Sequence, residues 1–253
     1  MHHHRQGSGS PIVLIHGIGS RWQVWKPVLD RLAAWHDVIA LDLPGFGGTP
    51  FDGVPGSVPH LADRVAAFLG SLGVERAAVG GSSLGGGVAL ELARRGLARS
   101  VVAFSPVGFF GSAEAAWCRT VVGGARAAGT ALGPALPRLF ARRAGRVALC
   151  GVFFGRPGAL PPDECLADAR AMITAPGFTG ARRTLGEWRL AEPITGVPVT
   201  IAWGDRDLVL PYRQAKQARR ILPQARHVRL PGCGHLPFAD DPRTCGRLLL
   251  EAA

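Results

Sequence analysis

The chain alternates short apolar runs with longer stretches in which apolar residues recur at helical spacing. Apolar runs rich in β-branched residues predict strands at 12–15, 38–41, 77–80, 101–104, 199–203 and 227–230. Amphipathic stretches predict helices at 22–34, after Ser57 through Leu72, at 84–95, 211–222 and 242–252. Because strands and helices alternate, the pattern indicates βαβ units around a mostly parallel sheet, which is an α/β fold.

The alternation stops at residue 107 and resumes near residue 191. Residues 107–190 are rich in alanine and glycine, with helical spacing and no convincing strand. We therefore predict a core domain made of residues 1–106 and 191–253. The helical stretch 107–190 is predicted to form a cap, or lid, inserted into that core.

Composition excludes several classes of protein. Of the 253 residues, 47% are hydrophobic and 19% are charged, which is typical of a folded chain and not of a disordered one. No apolar run approaches the roughly 18 residues that a membrane-spanning helix needs. The N-terminus has no apolar region of secretory type, so we expect a cytoplasmic protein without a membrane span.

Cysteine and histidine patterns give no sign of a metal site. The five cysteines are far apart and contain no CxxC pair, which argues against a disulfide framework and against zinc: Cys118, Cys150, Cys165, Cys233 and Cys245. The tract His2–His4 fits a metal ligand set or a purification tag as well as a short strand, and we favour the strand.

The net charge of +11 raises the question of nucleic-acid binding. Only two of the 29 basic residues are lysines, and the arginines are spread along the chain with a single tyrosine, Tyr212. A phosphate-binding face usually shows clustered Lys and Arg interleaved with aromatic residues. We therefore expect no nucleic-acid partner, and we note that residues 107–190 hold 11 arginines against five acidic residues.

The motif Gly81-Ser82-Ser83-Leu84-Gly85 lies between a predicted strand and a predicted helix. A serine on such a sharp turn projects its hydroxyl above the sheet, and glycines two residues on either side avoid a collision. Ser83 is thus the candidate nucleophile. The helix that begins at Leu84 places the positive end of its dipole near the oxyanion that would form.

A serine nucleophile needs a base and a group that orients the base. Asp205 and Asp207 follow one predicted strand, and His235 follows the next. The carboxyl ends of parallel strands are where such sheets place their ligand sites. His235 is the candidate base, and either aspartate is a candidate orienting acid.

The segment His16-Gly17-Ile18-Gly19 follows the first predicted strand. Its glycines allow a backbone N–H to point into the site, so the N–H groups of Ile18 and Leu84 are candidate oxyanion donors. His16 is interpreted as structural. The same interpretation applies to the remaining histidines at strand or helix positions, which lack loop glycines: His36, His60 and His227.

Together these motifs resemble the α/β-hydrolase family, in the serine-nucleophile branch with a helical cap. The residues that carry the resemblance are His16-Gly17, Asp42-x-Pro44-Gly45-x-Gly47, Gly81-x-Ser83-x-Gly85-Gly86, Gly204-x-x-Asp207 and Gly234-His235. The resemblance implies an eight-stranded, mostly parallel sheet, here without its first strand, and a cap after the sixth strand. It also implies no cofactor, and its spacing favours Asp207 over Asp205.

Single residues separate the branches of this family. Haloalkane dehalogenases and epoxide hydrolases, two branches of the family that this chain resembles, use aspartate at the nucleophile position. This chain has Ser83 there, so neither branch is expected. Carbon–carbon bond hydrolases of ring-cleavage products usually carry Asn and Trp where this chain has Ser82 and Leu236. That branch remains an alternative, with basic cap residues as possible binders of an acidic substrate: Arg182, Arg183 and Arg189.

The resemblance therefore implies a serine hydrolase that cleaves small-molecule carboxylic esters through an acyl-enzyme on Ser83. Perhydrolysis would use the same three residues and stays open. A non-catalytic ligand-binding protein of the same fold is an alternative of another class. Such proteins typically lose one of the three residues, whereas Ser83, Asp207 and His235 are all present.

Overall fold

A computed structural model describes residues 1–253, and its centre is a seven-stranded sheet. The strand order is β1-β3-β2-β4-β5-β6-β7, with β1 antiparallel to β3 and every other pair parallel. The strands are β1 (His3–Gln6), β2 (Pro11–Ile15), β3 (Asp37–Leu41), β4 (Ala77–Ser82), β5 (Ala98–Phe104), β6 (Val199–Gly204) and β7 (Arg226–Leu230). The predicted α/β class is confirmed.

The N-terminal histidines belong to the sheet. Strand β1 pairs with the outer edge of β3, where His3 lies opposite Leu41. The backbone of His2 accepts a hydrogen bond from the Asp42 N–H at 2.9 Å and extends this pairing. The tract is thus a short strand, and the sheet lacks one strand of the eight that the family resemblance implies.

Ten helices cover the sheet and its carboxyl edge. They are α1 (Lys26–Ala33), α2 (Val58–Ser71), α3 (Leu84–Arg94), α4 (Ser112–Ala131), α5 (Leu136–Ala141), α6 (Arg143–Cys150), α7 (Pro162–Thr174), α8 (Phe178–Thr184), α9 (Gln214–Ile221) and α10 (Pro242–Ala252). None of them is both long enough and apolar enough to cross a membrane. The Ser57 hydroxyl accepts a hydrogen bond from the His60 N–H at 3.4 Å and caps the start of α2.

Alternation of side chains along the strands divides the core into two layers. Val13 and Ile15 of β2 lie in one buried cluster together with residues of α2 and α3. Ile12 and Leu14 lie in the other, together with residues of α1 and α10. Because both faces are covered, strands β2, β3 and β4 consist almost entirely of buried residues.

Helices α4–α8 lie between β5 and β6, and residues 107–190 are called the inserted segment below. Its place follows the fifth strand present, which is the sixth when the missing first strand is counted. Contacts that tie it to the core include Gly177 N–H to the Gly45 carbonyl oxygen at 3.0 Å and Arg21 to Asp168 at 3.1 Å. These contacts hold helices across the carboxyl edge of the sheet.

Candidate active site

Ser83 lies on a strained turn between β4 and α3. Its φ of 55° and ψ of −115° are rare for a residue with a side chain, and Ser105 is the other non-glycine residue with positive φ. Strain of this kind costs about 1–3 kcal/mol and is typical of functional sites. A Cβ atom on Gly81 would collide with the carbonyl of Gly85, so the turn needs glycine there. The sequence motif therefore forms the predicted sharp turn.

Backbone hydrogen bonds hold this turn in place. The Ser83 N–H donates to the Phe104 carbonyl oxygen at 2.9 Å. The Ser83 carbonyl oxygen accepts from the N–H groups of Gly87 and Val107, each at 3.1 Å. Ser83 is 3% exposed, so these hydrogen bonds hold its backbone in a turn that is almost completely buried.

The loop after β2 runs directly beside the Ser83 hydroxyl. A Cβ atom built on Gly17 would lie 3.6 Å from Ser83 Oγ and 3.0 Å from Ser83 Cβ. The N–H of Ile18, the next residue, donates to no acceptor within the protein. Leu84 is the first residue of α3, where a helical N–H has no partner four residues back. Both backbone groups proposed as oxyanion donors therefore border Ser83.

His16 supports this loop and takes no further role. Its Nε2 accepts the Leu43 N–H at 3.0 Å, so Nδ1 carries the proton and donates to the Gly17 carbonyl oxygen at 2.7 Å. Complete burial lowers the pKa of His16, although the nearby Asp42 carboxylate acts in the opposite direction. The neutral ring thus connects two loops at the carboxyl edge of the sheet.

His235 and Asp207 form a buried pair. Their Nδ1 and Oδ2 atoms lie 2.8 Å apart, and the two residues are 3% and 4% exposed. The other Asp207 oxygen, Oδ1, accepts from the N–H groups of Val209 and Leu210 at 2.9 and 2.8 Å. The carboxylate is therefore held on both sides, and Nε2 is the His235 nitrogen left for chemistry.

Asp205, the second candidate acid, has other partners. Its Oδ2 lies 2.9 Å from Arg229 Nη2, and its Oδ1 accepts from the Gly232 N–H at 2.7 Å. Burial acts to raise the pKa of Asp205, but the Arg229 and Gly232 hydrogen bonds outweigh it and leave the pKa lowered. Asp205 thus binds the backbone of Gly232, in the loop that carries His235, whereas Asp207 contacts the His235 imidazole.

The three histidines interpreted as structural have partners outside this site. His36 Nδ1 lies 3.0 Å from Ser10 Oγ. His60 Nε2 lies 3.0 Å from Asp52 Oδ2, and His227 Nε2 donates to the Leu222 carbonyl oxygen at 2.9 Å. No group of three or more His, Cys, Asp or Glu side chains converges as a metal ligand set.

The strand order brings the predicted residues to one edge of the sheet. Ser83, Asp207 and His235 follow β4, β6 and β7, which run parallel, so all three lie beyond the carboxyl ends of these strands. The Arg206 N–H donates to the Cys233 carbonyl oxygen at 2.9 Å and joins the last two loops. One edge of the sheet thus carries the Ser83 hydroxyl, the His235 imidazole oriented by Asp207, and the N–H groups of Ile18 and Leu84.

The three arginines of the inserted segment that the sequence offers as possible binders of an acidic substrate have other partners or lie on the surface. Arg182 Nε donates to the Arg119 carbonyl oxygen at 2.7 Å and joins α8 to α4. Arg189 lies 3.3 Å from Ser112 Oγ on the surface, and Arg183 is exposed. None of the three forms a hydrogen bond with Ser83, Asp207 or His235.

Two contacts of the inserted segment with this edge were not predicted from the sequence. Trp117 Nε1 donates to the Leu208 carbonyl oxygen at 2.9 Å, next to Asp207. Asp240 accepts backbone N–H groups from the inserted segment and from the His235 loop. The only sequence signal for the Asp240 contact is an acidic residue five positions after His235. Its partners are backbone N–H groups, which leave no mark in the sequence.

Comparison with known proteins fits this geometry. The sequence profile described as the alpha/beta hydrolase family matches residues 12–247. The chain belongs to the α/β-hydrolase family. It is 31% identical over 251 residues to an uncharacterised protein of Mycobacterium tuberculosis, covering 93% of this chain and 73% of that protein.

Other relatives have named activities, and one of these relatives matches over nearly the full length of both chains. The chain is 34% identical to a pimeloyl-[acyl-carrier protein] methyl ester esterase of Aromatoleum aromaticum, over 94% of this chain and 96% of the relative. Among solved structures, a thermophilic esterase from Thermogutta terrifontis with bound malate superposes with a TM-score of 0.77 at 22% identity, covering 99% of this chain and 91% of that one. The second likeness shows the shared fold, and the chain is an α/β-hydrolase.

Proposed function

We propose that this α/β-hydrolase cleaves carboxylic esters through an acyl-enzyme on Ser83. The observation that carries the proposal is the strained Ser83 turn beside the unpaired Ile18 N–H, at the edge that also holds the buried His235–Asp207 pair. This combination supplies a nucleophile, an oriented base and donors for a negative oxygen. The named methyl ester esterase relative supports an ester as substrate.

In the proposed reaction, His235 Nε2 takes the Ser83 proton while Oγ attacks the ester carbonyl carbon. Asp207 holds the ring through Nδ1 and stabilises its charged form. The tetrahedral oxyanion accepts hydrogen bonds from the N–H groups of Ile18 and Leu84. As the carbon–oxygen bond to the alcohol breaks, His235 returns the proton to the leaving oxygen.

Water completes the cycle. His235 removes a proton from the water as it attacks the acyl carbon. The second tetrahedral intermediate then collapses as His235 returns that proton to Ser83 Oγ, which releases the acid and restores the Ser83 hydroxyl. The same two N–H donors stabilise both intermediates because the acyl carbonyl stays in one place. No observation of the structure favours carbon–carbon bond hydrolysis over this route, since the three cap arginines have other partners or lie on the surface.

Replacement of Ser83 tests the proposal. Ser83→Ala should lower kcat for a short-chain aryl ester by about 10⁴-fold or more, because no other group can form the acyl-enzyme. Ser82→Ala is the matched control. Its hydroxyl is buried beside Ser83 without a hydrogen-bond partner, so its loss should change kcat by less than about threefold. Retention of activity in purified Ser83→Ala would contradict the proposal.

A further inference from the structure

The inserted segment meets the His235 loop backbone against backbone. The Leu236 N–H donates to the Phe153 carbonyl oxygen at 2.9 Å. A Cβ atom on Gly155 would collide with the Gly232 carbonyl, and one on Gly234 would lie 2.6 Å from the Phe153 carbonyl oxygen. Glycines therefore allow residues 153–156 and 232–236 to pack at a distance that no side chain permits.

One carboxylate joins the two sides of this contact. Asp240 Oδ2 accepts from the Gly155 N–H at 2.8 Å and from the Gly234 N–H at 2.9 Å. Asp240 Oδ1 accepts from the Arg156 N–H at 2.8 Å. Asp240 is 5% exposed and forms no ion pair, so these three backbone donors are what balance its buried charge.

We infer that Asp240 is a positioning residue that couples the inserted segment to His235, an inference that rests on the proposed role of His235 as base. Gly234 directly precedes His235, and it shares Oδ2 with Gly155. Withdrawal of residues 155–156 would leave the Asp240 charge with a single donor. The backbone position of His235 therefore depends on the contact between Asp240 and the inserted segment.

This dependence matters because a base is sensitive to small displacements. A shift of about 1 Å in a catalytic group costs on the order of 100-fold in rate. Asp207 holds the imidazole through Nδ1, but it does not fix the backbone from which the ring extends. Asp240 fixes that backbone, because its Oδ2 accepts a hydrogen bond at 2.9 Å from the N–H of Gly234, the residue before His235.

Asp241 offers a neighbouring carboxylate with a purely structural contact. Its Oδ1 accepts from the Thr244 N–H at 3.0 Å and caps α10. Loss of this cap should lower the melting temperature without a change at His235. Asp240→Asn keeps the side-chain volume but replaces one acceptor oxygen by an NH₂ group that faces N–H donors.

The experiment compares Asp240→Asn, Asp241→Ala, Ser83→Ala and the wild type on one aryl ester, at a temperature well below every measured Tm. Asp240→Asn should lower kcat by about 10- to 100-fold while KM changes by less than about threefold. Asp241→Ala should lower Tm and leave kcat within about twofold of the wild type. A kcat in Asp240→Asn within twofold of the wild type, or an equal loss in Asp241→Ala, would overturn the inference.

The wild type allows a check that needs no variant. If Asp240 couples the two sides, the amide protons of Gly155, Arg156 and Gly234 should exchange with solvent at rates within about threefold of one another. Exchange of Gly234 more than tenfold apart from the other two would overturn the coupling. Activity that does not depend on Ser83 would overturn the proposed function together with this inference. Ser83-dependent activity unaffected by Asp240→Asn would overturn this inference alone.

Discussion

His16 fixes the backbone on which the proposed donor loop is built. Its ring is completely buried and connects the Leu43 N–H to the Gly17 carbonyl oxygen, beside Ser83. Both contacts require the neutral ring with its proton on Nδ1. Protonation of Nε2 would break the contact to Leu43 and place a charge in the core, where the Asp42 carboxylate, 3.9 Å from Nε2, offsets only part of the cost of burial. The stability of the fold therefore depends on the protonation state of His16.

The stability of the protein should fall below neutral pH partly because of His16. Burial lowers its pKa below the ordinary 6.5, so in mildly acidic solution the unfolded chain binds a proton that the folded chain does not. The His16 contribution is complete above about pH 7, and below pH 6.5 it declines by at most about 1.4 kcal/mol per pH unit.

His16→Gln provides the measurement, since its amide keeps one acceptor and one donor but does not titrate. Urea unfolding between pH 7 and pH 5 should show a smaller decline in the free energy of unfolding for the variant than for the wild type. Parallel declines in the two proteins would show that His16 does not contribute to the pH dependence.

Single residues also show where sequence reasoning stops. The position of Ser83 follows from its glycines and its place between a strand and a helix. The choice between Asp205 and Asp207 does not follow from local pattern, because both acids share one loop and only contacts with Arg229 and His235 distinguish them. Asp240 is missed for a related reason, since its partners are backbone N–H groups that any sequence supplies.

At the scale of elements, close packing of α3 against the sheet decides which residues the turn accepts. A Cβ atom on Gly85 would collide with the carbonyl oxygens of Ile15 and His16. These are backbone atoms of the central strand and its loop, which cannot move aside as a flexible side chain does. The glycine at this position is therefore fixed by the approach of helix to strand.

Two glycine substitutions should have opposite effects on stability. Gly85→Ala should lower the free energy of unfolding by at least about 2 kcal/mol, because α3 must move away from β2. Gly124→Ala, within exposed α4 where a new methyl meets no atom within 4 Å, should raise it by about 0.5–1 kcal/mol. Chemical unfolding of both variants and the wild type gives the three free energies of unfolding. A Gly85→Ala variant as stable as the wild type would show that α3 does not pack this closely against β2.

Elements differ in how well the sequence predicts them. Strands β2 and β3 were predictable because each contains a continuous apolar run, as expected for strands buried on both faces. Helix α9 begins at Gln214, three residues after its predicted start at Pro211. The separate helices of the inserted segment were not resolved, because its alanine- and glycine-rich composition gives a weak period.

At the scale of the whole molecule, ion pairs connect the inserted segment to the rest of the chain. Glu164 pairs with Lys26 at 2.6 Å, and Asp168 pairs with Arg21 at 3.1 Å. Glu114 lies 3.5 Å from Arg213. The paired acids of the segment thus all contact basic residues of the core, and each exposed pair contributes at most about 1 kcal/mol.

The arginines of the inserted segment follow another pattern. None of the 11 forms an ion pair, and several donate to carbonyl oxygens inside the segment, as Arg119, Arg146 and Arg182 do. Others lie on its outer surface, including Arg138, Arg142 and Arg143. The excess positive charge of the segment therefore belongs to its outer surface and its internal joints, and not to the contacts of Ser83.

The proposed reaction requires Ser83 to be an activated nucleophile. Incubation with a small fluorophosphonate probe, followed by peptide mapping with mass spectrometry, measures this directly, because the probe reacts with a hydroxyl only when a base and oxyanion donors assist. We predict one phosphonyl group per chain, on the peptide that carries Ser83, and none in Ser83→Ala. An unlabelled wild type, or a label on another residue, would contradict the proposed role of Ser83.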